Sequence, residues 1–263
     1  MRIRVIFGLN NKGATVPFHH QYILSDFIES VIGRNNQEYA DPDLYNFSAL
    51  KGQTKVGKDG LQFFSSKVTL VLSSHDDKFI ETFVRNLFRY PRVEIGRLNL
   101  SPLSVEQESL PIVGEEVKFV CLSPIVILDP LDMDQDPKAF INPAMDQFSD
   151  ILYENTMARM ERGGFTPEEI GGFFKFQVVP DKDYLLKIKD EEKKFARVFP
   201  AYINTKKYEV RGYTFPFTLY ADIKVQQFVF ERGLGSVTRN GFGMLDLANT
   251  NPNTRTMPYA FPA

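Results

Sequence analysis

Cysteine is almost absent from the sequence, since Cys121 is the single example. One thiol cannot form an intramolecular disulfide or a thiolate metal cluster. Because Cys121 lies in an apolar run at residues 117–128, we expect it to be buried in a core. The sequence also lacks an amino-terminal signal-peptide pattern and any apolar run long enough to cross a bilayer. These absences predict a cytoplasmic protein with no membrane partner.

The net charge is also close to zero, at −2. This value argues against a chain that coats nucleic acid along its whole length. The charges are nevertheless uneven. Residues 129–150 carry six acidic side chains and one lysine, whereas residues 206–239 carry six basic side chains and three acidic ones. The basic group is Lys206, Lys207, Arg211, Lys224, Arg232 and Arg239. We expect a polyanion to bind there, although a solvated surface would explain any one lysine equally well.

The length of 263 residues suits two ordinary domains, and 43% hydrophobic residues supply material for their cores. In the first half, the apolar spacing predicts the order strand, helix, strand, strand, helix, strand. The elements are expected at residues 3–7, 19–32, 45–50, 62–72, 74–90 and 93–100. This order is that of a ferredoxin-like unit, which is also the plan of many RNA-binding sheets.

The second half is expected to repeat this plan. Strands are predicted at residues 118–128, 173–179, 197–203 and 208–220 and from Gly241, with helices from Asn142-Pro143 and from Ala221. Two of these strands can pair as a hairpin that turns near residues 204–207. The fold class is therefore α+β, with two tandem ferredoxin-like (βαββαβ, RRM-like) units that contain antiparallel sheets. We expect domains at residues 1–112 and 113–248, followed by a flexible tail at 249–263.

A glycine-rich loop at residues 233–243 is the most distinctive stretch. Its glycines form two Gly-x-Gly pairs, and four polar residues lie between the pairs. Glycine lets backbone amides approach an anion, and polar or charged side chains can donate to phosphate oxygens. The helix–loop–strand order is the reverse of that in dinucleotide-binding and Walker loops. The candidate phosphate contacts are Gly233, Gly235, Ser236, Thr238, Arg239, Asn240, Gly241 and Gly243, together with Lys206, Lys207, Arg211 and Arg232.

Several motifs occur in an order that resembles a known family. They are Val16-Pro17-Phe18-His19-His20-Gln21-Tyr22, Leu122-Ser123-Pro124-Ile125-Val126, the segment 213–220 and the terminal Gly-x-Gly-x5-Gly-Phe-Gly loop. Together they resemble the CRISPR-associated endoribonucleases that process precursor RNA, in the repeat-associated superfamily with tandem ferredoxin-like folds. The resemblance covers nearly the whole chain.

The resemblance implies cleavage of CRISPR repeat RNA into mature guide RNAs without a metal or another cofactor. The 2′-hydroxyl would attack the adjacent phosphate and leave 2′,3′-cyclic phosphate and 5′-hydroxyl ends. Two alternatives stay open. One is a scaffold that binds CRISPR RNA, cuts it weakly or not at all, and joins subunits of an interference complex. The other is a protein that binds a small phosphate ligand. A monomer and a homodimer both fit the sequence.

Such cleavage needs a base, an acid and a cation near the phosphate, and histidine suits the first two roles. Of the three histidines, His75 is expected at the surface, which leaves His19 and His20 at the start of the first helix, with His20 preferred. The alternative for each is a structural role, either as a cap of the helix or packed under the sheet. Many members of the family carry a histidine at the end of the first helix or in the loop after it, and residues 33–61 contain none. Tyr45, Lys51 and Lys55 are therefore further catalytic candidates. The aspartates at 129, 132, 134 and 136 lack the glycine and glutamate of a calcium loop, so no metal site is expected.

Overall fold

The computed structural model describes residues 1–34, 36–111, 113–129, 136–191, 194–203 and 206–261. The chain forms two compact units. Unit 1 contains Met1–Leu110, Arg239–Gly241 and Asn251–Ala263, and unit 2 contains Pro111–Thr238 and Phe242–Thr250. Each unit has its own hydrophobic core. In the part of the chain that the structure describes, no helix is both long enough and apolar enough to cross a membrane.

Unit 1 begins with the alternating strand that the sequence predicts, and Ile3, Val5 and Phe7 are fully buried on one face. The elements up to residue 110 are β1 Arg2–Leu9, β2 Thr15–Val16, α1 Gln21–Ile32, β3 Tyr45–Phe47, β4 Thr54–Val56, β5 Leu61–Phe63, β6 Lys67–Ser74, α2 Asp77–Leu87, β7 Val93–Ile95 and β8 Leu98–Glu108.

The main sheet of unit 1 has the strand order β8-β1-β6-β3, and these pairs are antiparallel. With α1 after β1 and α2 after β6, the chain follows the ferredoxin-like βαββαβ path. The remaining strands form a small sheet, β2-β5-β4, and β7 pairs with the edge of β8. Both helices bury an apolar stripe, which in α1 contains Leu24, Phe27, Ile28 and Val31.

Unit 2 repeats the same path with an insertion. Its elements are β9 Glu116–Cys121, β10 Ile125–Val126, α3 Asp146–Arg162, α4 Pro167–Gly171, β11 Phe176–Pro180, α5 Lys182–Asp190, β12 Ala196–Ile203, β13 Lys206–Tyr213, β14 Phe217–Ala221, α6 Ile223–Arg232 and β15 Leu245–Leu247. The order β11-β14-β9-β15 is the ferredoxin-like order again, and β10-β13-β12 forms a separate sheet. The expected α+β class with antiparallel sheets is thus confirmed.

Three long predicted strands are in fact interrupted. The stretch 62–72 is divided between β5 and β6, the stretch 118–128 between β9 and β10, and the stretch 208–220 between β13 and β14. In each case the two pieces belong to different sheets. Pro124 and Pro216 lie in two of the breaks, where a residue without an N–H cannot continue a strand ladder. The sequence shows no break at these corners, because the strands on both sides of each corner bury an apolar face and the apolar periodicity continues through it.

The helices also differ in detail from the prediction. Helix α3 begins at Asp146 and not at Asn142-Pro143, and α4 and α5 were not predicted. Helix α5 begins after Asp181, whose carboxylate accepts a hydrogen bond from the Tyr184 N–H at 3.0 Å. The predicted hairpin is confirmed, since β12 and β13 pair over their whole lengths, while positions 204 and 205 of its turn lie outside the described residues. Asp132 and Asp134 also lie outside them.

The carboxyl-terminal tail differs from the flexible segment that the sequence predicts. Thr256–Pro258 forms β16, which pairs antiparallel with β8 of unit 1. The Tyr259 side chain is buried, and Tyr259 N donates to the Val105 carbonyl at 2.9 Å. The Arg255 guanidinium lies 3.8 Å from the buried Glu108 carboxylate. The few apolar residues of the tail suggest little burial, yet the open edge of β8 supplies partners for its backbone.

Candidate nucleic-acid interface

The glycine loop is anchored to unit 2 by a buried arginine of α3. Helix α6 ends with Gly233 as its C-cap residue, and the φ of Gly233 is 81°. Arg159 of α3 is buried, with an exposed fraction of only 3%. The Arg159 guanidinium donates to the carbonyl oxygens of Arg232 at 2.6 Å and Gly233 at 2.7 Å. It also donates to the Gly235 carbonyl at 3.3 Å. These bonds satisfy carbonyls that the end of α6 leaves without helical partners.

Several loop amides already donate within the protein. Leu234 N donates to the Gly243 carbonyl at 2.9 Å, Ser236 N to Val126 at 2.8 Å and Gly243 N to Pro124 at 2.7 Å. An amide that is used in this way cannot also hold a phosphate. The geometry therefore favours a structural role for these three amides, in place of the phosphate contact that the glycine pattern suggests.

The glycines themselves are required by packing. Gly235 and Gly243 have φ values of 89° and 74°, in the left-handed region that favours glycine. A Cβ atom at Gly235 would collide with the Val126 carbonyl oxygen, and one at Gly243 would collide with the Leu234 carbonyl oxygen. Both positions therefore need glycine for the connection between α6 and β15, whether or not RNA binds.

The polar side chains at the start of the loop also face the protein. The Ser236 hydroxyl donates to Asn155 Oδ1 at 2.9 Å and accepts from Leu128 N at 3.2 Å. Thr238 is 2% exposed. The Arg232 guanidinium lies 5.1 Å from the Phe228 ring centroid. These contacts account for Ser236, Thr238 and Arg232 without a bound anion.

Arg239, Asn240 and Gly241 belong to unit 1 and differ from the rest of the loop. The Arg239 guanidinium donates to the Asp41 carbonyl at 2.6 Å and lies 5.1 Å from the Tyr45 ring centroid. Arg239 and Asn240 remain partly exposed, whereas a Cβ at Gly241 would collide with the Phe47 ring. These contacts fix the position of the Arg239 side chain, and the residue stays partly exposed to solvent.

Two exposed lysines of the basic segment lie on the β12–β13 hairpin of unit 2, while the exposed Lys224 of α6 forms an ion pair with Glu169. Lys206 and Lys207 are exposed at the start of β13. Arg211 is half-buried, donates from Nε to the Lys138 carbonyl at 2.6 Å and lies 6.0 Å from the Phe140 ring centroid. The two lysines are therefore better placed than Arg211 to meet a polyanion.

His20 is buried and connects the start of α1 to the segment after β3. Its Nε2 accepts from Leu50 N at 3.2 Å, so this nitrogen carries no proton. Its Nδ1 lies 3.1 Å from the Pro17 carbonyl and is therefore the protonated nitrogen. Burial, and to a smaller extent the neighbouring His19, lower the pKa of His20, while hydrogen bonds to backbone carbonyls oppose the shift. This geometry favours a structural role for His20, contrary to the preference from sequence.

The His20–Leu50 hydrogen bond joins the two chain segments of unit 1 that carry two other candidates. His19 directly precedes His20, and Lys51 directly follows Leu50; both are half-buried. Lys55 is exposed, with its ammonium 5.2 Å from the Phe64 ring centroid. Burial raises the pKa of Tyr45 to about 12, although Arg239 partly opposes this effect. Tyr45 therefore stays protonated at neutral pH, and His19 and Lys51 each keep part of their surface exposed.

Sequence reasoning missed Arg159, which holds the loop. Its signal is helical spacing: Leu152, Thr156 and Arg159 lie at i, i+4 and i+7 on one buried face of α3. An arginine on such a face needs several acceptors, and carbonyls at a nearby helix end supply them. Without the fold, no pattern in the sequence identifies α6 as that helix.

Comparisons with known proteins cover both units. Residues 15–104 match the family model described as CRISPR-associated protein Cas6, N-terminal, and residues 105–247 match that described as CRISPR associated protein Cas6, C-terminal. A CRISPR-associated endoribonuclease Cas6 of Methanocaldococcus jannaschii is 24% identical, over 93% of this chain and 92% of its own.

Solved structures are similar over the same extent. A Cas6-related protein from Pyrococcus furiosus has a TM-score of 0.73 at 22% identity and covers 95% of this chain and 99% of its own. A structure described as a RAMP protein binding different RNA substrates has a TM-score of 0.74 at 21% identity and covers 95% of this chain and 100% of its own. At these identities the likeness shows the tandem ferredoxin-like fold.

Proposed function

Because this chain belongs to the Cas6 family of CRISPR-associated repeat-RNA endonucleases, we propose that it binds CRISPR repeat RNA and cleaves it to release mature guide RNAs. The observation that carries the proposal is the match of both units, in order, to the two halves of the family. The similar endoribonuclease of M. jannaschii extends over almost the same length.

The proposed reaction is a transfer within the RNA that needs no metal. A base takes the proton of the 2′-hydroxyl, whose oxygen bonds to the adjacent phosphorus. The bond from phosphorus to the 5′-oxygen then breaks, and an acid protonates that oxygen. The products would carry a 2′,3′-cyclic phosphate and a 5′-hydroxyl. A nearby cation would stabilise the extra negative charge of the phosphorane.

We assign the proton transfer to His19 and the cationic role to Lys51. The His20–Leu50 hydrogen bond supports this assignment, since it joins the residues next to both of them. Histidine exchanges a proton near neutral pH, and lysine supplies a compact charge. RNA phosphates would be held by exposed or partly exposed groups, namely Lys206, Lys207, Arg239 and Asn240.

The test is incubation of the full chain with repeat RNA in EDTA, followed by analysis of the product ends. We expect cyclic phosphate (or the derived 3′-phosphate) and 5′-hydroxyl ends. A single 2′-deoxy substitution at the cleavage position should stop cutting and leave binding nearly unchanged. Cleavage that requires magnesium, or that continues at the deoxy position, would exclude this mechanism.

A weakly cutting or non-cleaving scaffold is the second candidate, and the geometry of His20 favours it. The ring nitrogens of His20 both contact backbone atoms, which leaves fewer groups for proton transfer than the sequence suggests. Such a protein would hold CRISPR RNA for subunits of an interference complex. Tight binding of repeat RNA with no product after long incubation, in both EDTA and magnesium, would support this candidate.

A further inference from the structure

Unit 2 contains a cavity that combines aromatic rings with positive charge. It lies between α5 and the β12–β13 hairpin and has a volume of about 260 Å³. We propose that this cavity, the hairpin pocket, binds one nucleotide, with the base against its rings and a phosphate against its cations. Its lining comprises Tyr184 of α5, Lys194 and Phe195 just before β12, Arg197 and Phe199 of β12, and Gly212 and Thr214 beside them.

The hairpin register explains how these groups share one face. Arg197 pairs with Gly212, and Thr214 N donates to the Phe195 carbonyl at 2.7 Å. Because side chains alternate along a strand, Phe195, Arg197 and Phe199 point to the same side. The directly paired positions 212 and 214 face that side as well. Strand β12 and the residue before it therefore supply two rings and a guanidinium to the pocket.

Gly212 forms the open floor of the pocket. A Cβ at this position would lie 2.9 Å from the Phe199 ring and 2.8 Å from Pro124 Cβ. The absence of a side chain makes room for the Phe199 ring, which also packs edge-to-face on Phe242 with 5.9 Å between ring centroids. A ring fixed in this way is a preorganised surface for a flat ligand.

The charge of the pocket favours an anion. Lys194 and Arg197 are both exposed, and neither forms an ion pair with a described residue. No carboxylate occurs in the lining. The planar guanidinium of Arg197 can donate two hydrogen bonds to a phosphate, and the Thr214 hydroxyl can donate to or accept from a base or a sugar. Rings and cations together are the pattern that binds single nucleotides of unpaired strands.

The volume restricts the ligand. At about 260 Å³, the pocket is slightly smaller than the roughly 300–1,000 Å³ that is usual for small-molecule sites. It therefore suits one nucleotide and not a dinucleotide. This nucleotide can be part of a bound RNA or a free mononucleotide. The RNA source rests on the proposed binding of RNA but not on its cleavage, so a chain that never cuts can still use the pocket.

The experiment measures binding of the full chain to AMP, UMP and inorganic phosphate by calorimetry, and to a single-stranded 12-nucleotide RNA by fluorescence anisotropy. The variants are Tyr184→Leu, which removes a ring, and the double variant Lys194→Ala/Arg197→Ala, which removes both cations. The matched control is Lys187→Ala/Lys189→Ala, which removes two exposed lysines of α5 outside the pocket. Melting temperatures check that each variant is folded, and RNA cleavage is measured separately.

We expect Tyr184→Leu to weaken nucleotide binding by about 5- to 150-fold, the value of one base–aromatic stack. In the RNA measurement, the double cation variant should lower the slope of log affinity against log salt by about 0.7, the value for the one phosphate that the two cations hold. The control should change neither value. If the pocket variants lose affinity for both the mononucleotides and the RNA, the pocket is a free-nucleotide site that RNA also uses. If they lose affinity for the RNA alone, the pocket is assigned to RNA. The proposal would be overturned if folded pocket variants kept their affinity for both the mononucleotides and the RNA, or if the control variant lost as much affinity as they do. Either result would count even if the protein cleaves RNA.

Discussion

At the scale of single residues, His19 and Lys51 carry the proposed chemistry. We expect His19→Ala to lower the single-turnover cleavage rate by about 100- to 10,000-fold, the usual contribution of a proton-transfer group. Lys51→Ala should lower it by about 100- to 1,000-fold, the usual cost of removing one group that stabilises charge in the transition state. RNA affinity should change little for His19→Ala. His75→Ala and Lys58→Ala are matched controls, since His75 lies 3.8 Å from the Asp41 carboxylate and Lys58 is exposed between β4 and β5. Normal cutting by the His19 variant would exclude the assigned role.

His20 should instead affect stability. His20→Ala leaves the buried Leu50 N–H without its acceptor, which should cost about 1–3 kcal/mol of unfolding free energy. Chemical denaturation measures this loss, and His19→Ala serves as the comparison in the same helix. If the His20→Ala protein keeps its stability but no longer cleaves RNA, His20 has a catalytic role and not the structural one.

The lowered pKa of His20 predicts a pH dependence as well. Below about pH 6.5, the ordinary pKa of histidine, the unfolded chain takes up a proton that the folded chain still refuses. Stability is therefore lost as the pH falls from about 6.5 to the lower pKa of the folded state. His20→Asn should lack this part of the dependence, so its stability should approach that of the original chain as the pH falls. Parallel stability profiles would contradict this expectation.

Arg239 tests whether the loop contacts RNA. Arg239→Ala should lower the slope of log affinity against log salt by about 0.7–0.9 and weaken binding similarly across RNA sequences. Loss of its contact with Tyr45 should cost only about 0.5–1 kcal/mol of stability. Lys224→Ala is the control, because Lys224 lies in the same basic segment but forms an ion pair with Glu169. An unchanged slope in the folded Arg239 variant would remove Arg239 from the interface.

At the scale of elements, the glycine loop is a fixed connection between α6 and β15. Gly235→Ala and Gly243→Ala should each lower the unfolding free energy by about 2 kcal/mol or more, because each Cβ collides with a carbonyl oxygen and both φ values are positive. Gly114→Ala is the control in the same unit, since a Cβ there meets nothing within 4 Å. Stability of Gly243→Ala within about 0.5 kcal/mol of the original would mean that the loop adapts.

At the scale of the whole molecule, unit 1 depends on the end of the chain. Deletion of residues 251–263 removes β16, the buried Tyr259 ring and the Arg255–Glu108 contact. Since burial of one large apolar side chain contributes about 1.5–3 kcal/mol, unit 1 should lose at least that much stability. Hydrogen exchange should accelerate in β8 and β1 but not in β9 of unit 2. Met257→Ala is the control because its side chain is exposed, and unchanged exchange in β8 after deletion would show that the tail contributes nothing.

Local apolar spacing was sufficient to predict both ferredoxin-like units. The alternation of Ile3, Val5 and Phe7 and the stripe of α1 each depend on which face is buried, and that pattern is present in the local sequence. The insertion between β11 and β14 did not obscure the second unit, because its strands pair with each other as a hairpin.

Only the tertiary structure decided which polar atoms are available for function. The partners of His20 include Leu50, 30 positions away, and the loop carbonyls that accept from Arg159 lie more than 70 positions away. Similarly, the β5–β6, β9–β10 and β13–β14 breaks depend on which sheet each piece joins. The sequence by itself determined the order and buried faces of the elements, since apolar burial follows local periodicity. The pairing of individual donors and acceptors requires elements that are distant in the chain to meet, so the roles of His20, Arg159 and the loop amides emerged only from the fold.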